Sequence, residues 1–235
     1  MGYGIWVLAL VLLEWLVIRV ILVIPLFGIQ NDGIMGAGGV KVKSGTGANS
    51  AGLRLFVFLG SGGHTGEMLR LLDNYKDELL RPGTKLIVGS SDEESLTRFH
   101  HSLGPQLAQQ VQVTVCRFGK AREVGASKLE SVRSILHTLA KAIWTVTWIK
   151  WQFVGQPHLV LLNGPGTCCI IAGWLKLLEI ITMTRSKIVY VESLARTDSL
   201  SMSGKILYPL VDEFVVQWSE LCEVYERAQC FGILV

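Results

Sequence analysis

Residues 53–68 read LRLFVFLGSGGHTGEM: an apolar run, a glycine-rich turn and the entry to a helix. Apart from Arg54, residues 53–59 are apolar at successive positions, so neither face of that strand is suited to water. A strand covered on both faces belongs in a parallel sheet sandwiched between helices. Gly60, Ser61, Gly62 and Gly63 carry little bulk, so an anion can come close to the backbone there. Beyond Thr65 and Gly66, residues Met68, Leu69, Leu71 and Leu72 recur at helical spacing. Such a turn presents backbone N–H groups and a helix N-terminus to a diphosphate. It is not a standard nucleotide loop. Glu67 stands where a Walker loop has its Lys, and Thr65 where the dinucleotide fingerprint has its third small residue.

The pattern repeats along the chain. Strand signals fall at 53–59, 85–89, 111–117, 159–162, 187–191 and 213–218, and helix signals at 66–80, 93–103, 128–153, 167–181 and 219–229. Repeated β–α alternation predicts an α/β fold with one doubly wound, Rossmann-like parallel sheet. A second glycine turn, Asn163-Gly164-Pro165-Gly166-Thr167, follows another apolar strand, with Thr167 placed to cap the next helix. Two such turns at the carboxyl ends of parallel strands line one crevice. A third strand end carries Glu192, Ser193 and Arg196. Glu192 is an acceptor or base at that edge, or else a cap or ion-pair partner of Arg196, and Arg196 suits a phosphate.

The N-terminus is of another kind. Residues 5–24 form a nearly continuous apolar stretch ending at Pro25. Twenty helical residues span about 30 Å, the thickness of a bilayer core. No basic segment precedes the stretch and no small-residue cleavage pattern follows it, so a transmembrane anchor is expected rather than a cleaved signal. Lys41, Lys43 and Arg54 follow it, which puts the rest of the chain on the cytosolic side. Arg19 can snorkel. Glu14, near mid-span, suggests a protein partner within the membrane. Residues 30–52 are rich in Gly and lack periodicity, as a flexible linker would be. The division expected is therefore an anchor at 1–29, a linker at 30–52 and one α/β domain at 53–235.

A net charge of +3 gives no reason to expect nucleic acid as a partner. The five cysteines form no Cys-x-x-Cys pair and the histidines show no ligand spacing, so no metal site is expected. In the helix at 128–153, Trp144, Trp148 and Trp151 recur with Lys141 and Lys150 nearby, a composition that suits a membrane interface as well as a core. Phe231, Ile233, Leu234 and Val235 make an apolar end, fit either to dock a partner or to pack on their own domain.

VFLGSGGHTGEM, LLNGPGTCCIIAGW and VYVESLARTDSLSMSGKILYPLVDEFVVQW resemble the membrane-anchor subunit of the eukaryotic two-subunit UDP-N-acetylglucosamine transferase of dolichol-linked oligosaccharide synthesis. That family is related to the N-terminal half of the bacterial lipid II glycosyltransferase. The resemblance implies the acceptor-binding half of a GT-B glycosyltransferase on the endoplasmic reticulum. A cytosolic catalytic subunit would supply the other half and bind most of the donor, UDP-GlcNAc, with no further cofactor. The reaction implied is addition of the second GlcNAc to GlcNAc-diphospho-dolichol, by a chain inactive alone. The upstream membrane GlcNAc-phosphate transferase is a further implied partner. On this reading Gly60, Ser61, Gly62, Gly63, Thr65, Gly66, Asn163, Gly164, Gly166, Thr167, Ser193 and Arg196 hold the acceptor diphosphate. His64 is the first candidate base and Glu192 the second, with His64 as a cation at the diphosphate an equal alternative. Phe231, Ile233, Leu234 and Val235 dock the catalytic subunit. The rivals are a purely structural membrane recruiter, a nicotinamide enzyme with a defective loop, and a self-sufficient homodimeric transferase.

Overall fold

Every strand pairing in the sheet is parallel. The computed structural model describes residues 2–26, 53–107, 111–119, 128–164 and 166–235. An apolar helix, α1 (Gly2–Val23), precedes the domain. The domain then runs β1 (Arg54–Leu59), α2 (Gly63–Asn74), α3 (Lys76–Leu79), β2 (Lys85–Ser90), α4 (Glu93–Ser102), α5 (Gly104–Leu107) and β3 (Gln112–Arg117). It continues with α6 (Lys128–Gln152), β4 (His158–Asn163), α7 (Thr167–Thr182), β5 (Lys187–Val191) and α8 (Met202–Leu207), and closes with β6 (Glu213–Val216), α9 (Ser219–Val224) and β7 (Ala228–Cys230). The seven strands lie in the order β3-β2-β1-β4-β5-β6-β7. Winding therefore reverses between β1 and β4, which is where open α/β sheets bind ligands.

Strand alternation divides the core in two. On β1, Phe56 and Phe58 face one layer, where Ala142, Val146 and Ile149 of α6 meet Ile171, Ala172 and Leu175 of α7. Leu55, Val57 and Leu59 face the other, against Met68 and Leu72 of α2 and Leu96 and Phe99 of α4. The doubly covered strand expected from the sequence is what forms, because neither face of 55–59 carries a polar side chain. Phe58 meets Phe118 edge to face at 5.4 Å, over Gly89. A Cβ on Gly89 would lie 2.8 Å from the Phe118 ring, so only glycine admits this packing.

Two expectations change. The helix expected at 66–80 starts earlier, at Gly63, and breaks at Tyr75 into α2 and α3. The helix expected at 219–229 stops at Val224, and the chain instead adds β7 beside β6, pairing Phe214 with Ala228. A three-residue strand has no period to read, which is why it was hidden. The expected linker at 30–52 lies outside the described residues.

α1 contains the one stretch among the described residues long and apolar enough to cross a membrane, Ile5–Val23. Its last turns rest on the end of α7. Arg19 donates through Nε to the Ile180 carbonyl at 3.1 Å and through Nη2 to that of Glu179. Arg185 donates back to the Leu22 carbonyl at 2.7 Å. Arg19 satisfies the last-turn carbonyls of α7, where the helix dipole favours a cation.

Beneath that contact lies a buried ionic cluster. Lys176 donates to Glu179 at 3.2 Å and to both oxygens of Asp212 at 3.0 Å. Glu179 accepts the Ser186 N–H at 2.6 Å and Asp212 that of Ile188 at 2.8 Å. Lys150 reaches Ser186 Oγ at 2.6 Å, and burial holds its ammonium down at about 8. Removing Lys176 takes the nearest cation from both the buried Glu179 and the partly exposed Asp212, leaving Lys150 3.8 Å from Glu179. Lys176→Met should cost about 3–5 kcal/mol in denaturant unfolding of the full chain, whereas a surface pair such as Arg98–Glu94 should be worth about 0.5 kcal/mol.

Candidate functional site

The carboxyl ends of β1, β4 and β5 lie level, since Phe58 pairs with Leu162 and Asn163 with Val191. Both glycine turns therefore emerge side by side at the switch point. Gly62 occupies the N-cap of α2 with φ +66°, and no side chain caps that helix. Gly166 holds the same place on α7, again without a side-chain cap. Thr167, expected as the cap, is instead the first residue of the helix. Two helices thus present first-turn N–H groups to the rim without side-chain acceptors.

The two turns touch. Gly164 has φ +106°, and a Cβ there would lie 2.7 Å from Cγ of His64, so the imidazole packs directly on the second turn. Tyr190 donates to the Gly164 carbonyl at 3.3 Å from below. Ser61, Gly62, Gly63 and Gly166 are exposed and Gly66 half-buried, while Gly60 is buried. Thr65 is also buried. Its hydroxyl bonds the Gly60 carbonyl and meets Ser95 Oγ at 2.6 Å, so the side chain braces the turn from within.

Asn163, at the tip of β4, fixes the chemistry of His64. Its Nδ2 donates to Glu67 Oε2 at 2.9 Å and to the Val191 carbonyl at 3.2 Å. Both partners only accept, so the amide has one possible orientation. Oδ1 then faces His64 Nδ1 at 2.9 Å and must accept from it. Nδ1 carries a proton, and Nε2 is the nitrogen left for a ligand. Glu67 lies 3.9 Å from Nδ1, with its side chain 16% exposed. The neighbouring carboxylate of Glu67 raises the His64 pKa above its ordinary value. Burial opposes this, and Asn163 and Glu192 add to it. Burial pushes the Glu67 carboxyl up, but the neighbouring His64 and hydrogen bonds from Asn163 and Ser193 outweigh it and hold the group below its usual range.

Glu67 also reaches the third loop. Its Oε1 accepts from Ser193 Oγ at 2.8 Å and from the Leu194 N–H at 3.2 Å. Sequence reasoning used Glu67 only to exclude a Walker loop. The available signal was its place three residues after His64, on the same helical face.

Glu192 is 1% exposed. One oxygen accepts the Ser193 N–H at 3.1 Å, and the other accepts both N–H and Oγ of Ser201 at 3.1 Å. It closes the loop from 193 to 201 like a buckle and forms no ion pair with Arg196 among the described residues. Arg196 is exposed on that loop. In the C-terminal tail, Leu234 is buried in the domain's own core, its N–H bonded to Gln217 Oε1 and its carbonyl to Asn74 Nδ2. Val235 packs beside it, while Phe231 and Ile233 are exposed.

Fold and rim together define a doubly wound α/β protein with two glycine turns meeting at the switch point, joined to an apolar N-terminal helix. The family model described as "Oligosaccharide biosynthesis protein Alg14 like" matches residues 55–234, and the chain belongs to that family. It is 46% identical over 234 residues to the UDP-N-acetylglucosamine transferase subunit ALG14 of Kluyveromyces lactis, covering 98% of each chain. It is 48% identical over 227 residues to the subunit of the same name from Saccharomyces cerevisiae, covering 93% of each. Among solved structures, Acinetobacter baumannii MurG aligns with a TM-score of 0.45 and 12% identity over 70% of this chain. The chain spans 41% of the MurG chain.

Gly164→Ala tests the contact between the turns. It should lower stability by about 1–3 kcal/mol through its positive φ and displace the His64 ring. Gly66→Ala, whose added Cβ meets nothing within 4 Å, should be neutral or stabilising by about 0.5–1 kcal/mol in the same unfolding experiment.

Proposed function

We propose that this chain is the membrane-anchoring, acceptor-binding subunit of a heteromeric UDP-GlcNAc transferase. It holds GlcNAc-diphospho-dolichol on the cytosolic face of the endoplasmic reticulum while a cytosolic catalytic subunit brings most of the UDP-GlcNAc site. The observation that carries this reading is the meeting, at the switch point, of two helix N-termini without side-chain caps and an imidazole with one free nitrogen. That set suits a diphosphate, and the relatives' names supply the sugar nucleotide. The chain is then the acceptor half of a GT-B enzyme, and it needs its partner to turn over. N–H groups of Gly62, Gly63, Gly166 and Thr167 receive the diphosphate oxygens, and Arg196 approaches from the third loop. Glu192 shapes that loop rather than taking a proton. Holding the acceptor hydroxyl against the donor converts an encounter into an intramolecular step.

His64 acts here as a charged donor through Nε2, the role favoured by its raised proton affinity. A second reading, His64 as neutral base, is favoured by Nδ1 being the protonated nitrogen, which leaves a lone pair on Nε2. The pH dependence separates the two. An imidazolium is present below the folded pKa, which lies above 6.5, and is lost as pH rises through it. Inorganic pyrophosphate binding by the full chain in nanodiscs should therefore weaken as pH rises through that value, and His64→Ala should flatten the curve. Binding that stays constant removes the donor role.

Transfer assayed with and without the catalytic subunit tests the whole. The complex should be active and the chain alone inactive, with His64→Ala lowering turnover about 10²-fold while the subunits still associate. Acceptor binding that is absent from the chain would leave only the recruiter.

The tail docks the partner through exposed Phe231 and Ile233, with Leu234 and Val235 as its root. Phe231→Ser with Ile233→Ser should abolish co-purification without unfolding the domain, and retained binding rejects docking. The flank bearing Trp144 and Trp151, each 76% exposed, rests on the bilayer surface beside α1. A chain lacking residues 1–29 should still float with liposomes, and a fully soluble product removes this contact.

A further inference from the structure

One acidic side chain, Glu67, touches all three loops of the rim. It stands in the first turns of α2, and its two oxygens are shared among groups from three strand ends. Oε2 takes the Asn163 amide of β4 at 2.9 Å and lies 3.9 Å from His64 Nδ1. Oε1 takes Ser193 Oγ at 2.8 Å and the Leu194 N–H at 3.2 Å, just beyond β5. The far side of that last contact is also fixed, since Trp218 Nε1 donates to the Leu194 carbonyl at 2.7 Å. We infer that Glu67 is the positioning residue of this site, clamping the β1, β4 and β5 loops into one rim and orienting His64 so that Nε2 is its ligand-facing nitrogen. The inference rests on the acceptor-binding reading for its functional consequence, but not for its geometry.

Only a carboxylate can do this. Every partner of Glu67 is a donor: an amide NH2, a hydroxyl and a backbone N–H. A glutamine would place its own NH2 against either Asn163 Nδ2 or the Leu194 N–H. The first choice sets two NH2 groups against each other; turning the Asn163 amide over relieves this at the cost of setting its oxygen against the Val191 carbonyl, and it presents Nδ2 to His64 and moves the ring proton from Nδ1 to Nε2. The second opens the contact between α2 and the 193–201 loop. The charges that act on His64 are Glu67 on its own helix and Glu192 at the end of β5, while the partner from β4, Asn163, is neutral. Removing Glu67 leaves burial as the main influence on the ring, so its proton affinity must fall.

The test is nitrogen-15 NMR of His64 in the full chain in lipid nanodiscs, with the signal assigned by its loss in His64→Ala. In the wild type the neutral ring should be the Nδ1–H tautomer, titrating above the ordinary histidine value. In Glu67→Gln the midpoint should move down and the Nε2–H tautomer should appear. Turnover of the complex with its catalytic subunit should fall about 10–100-fold, as when hydrogen-bonding partners behind a functional ligand are removed. Glu67→Asp keeps the charge but cannot span both loops. It should keep the raised midpoint and recover part of the turnover, and it serves if the Gln variant does not fold. An unchanged His64 tautomer and midpoint in Glu67→Gln overturns the inference, as does a midpoint that falls in Glu67→Asp. A changed His64 signal with wild-type turnover in Glu67→Gln overturns the positioning role, while the acceptor reading is judged separately by His64→Ala.

Discussion

The Asn163 side chain can be satisfied in only one way, and the rim is built around that fact. Its NH2 lies between a carboxylate and a carbonyl, neither of which can donate, so its oxygen is turned to His64. A primary amide has a polar sense that a hydroxyl lacks, since a hydroxyl can rotate to suit its neighbours. The proton on His64 Nδ1 follows from it, and the free nitrogen follows from the proton. Asn163 itself is placed by β4 pairing with β5, whose Val191 carbonyl is the second acceptor. Sheet register is thereby converted into the tautomer of a side chain on a neighbouring strand's loop.

Two carboxylates divide the labour at the third loop. Glu67 holds its start at Ser193 and Leu194, and Glu192 joins Ser193 to Ser201 at its end. Residues 195–199, Arg196 among them, are exposed. Both acids are held mostly by neutral N–H and O–H donors rather than by lysine or arginine. That arrangement satisfies a buried carboxylate without introducing a fixed cation that would compete for an anionic ligand. The chain places its buried ammonium groups elsewhere. Lys150 and Lys176 lie at the opposite end of the sheet, beneath the α1 contact.

How much of this the sequence discloses varies with the physics. The doubly covered β1, the glycine turns and the parallel alternation are legible because burial on both faces and missing Cβ atoms leave local traces. The adjacency of the two turns follows from topology, and Asn163 and His64 are accordingly recognised as rim residues. Glu67 is not, because its role depends on three donors separated from it by about a hundred residues or more, none with a local pattern. Glu192 reads as a base or a cap from its place at a strand end; its burial and the three hydrogen bonds it accepts favour the structural role, and burial of one side chain has no period. Arg19 reads as a snorkelling cation for the same reason. The carbonyls it satisfies belong to a helix end far along the chain. Leu234 reads as part of a sticky tail, but its packing into the core is a property of the β7 strand that precedes it, and three residues of strand leave no signature.

α7 joins the two functions of the molecule. Its first turn opens on the glycine crevice, and its last turn receives Arg19 of the apolar helix. Sixteen helical residues put those ends about 24 Å apart. A diphosphate attached to a membrane lipid stays at headgroup level, so an upright α7 would hold the crevice out of its reach. On the proposed reading the domain must therefore lean until α7 runs nearly along the bilayer. Exposed apolar side chains on these helices, Trp144 and Trp151 on α6 and Leu177 and Ile181 on α7, would serve such a lean. α6 and α7 are tied to each other by Trp174 donating to Thr147 at 2.8 Å, so the two helices would settle on the surface as one body. The Arg19 and Arg185 contacts then set the angle between span and domain.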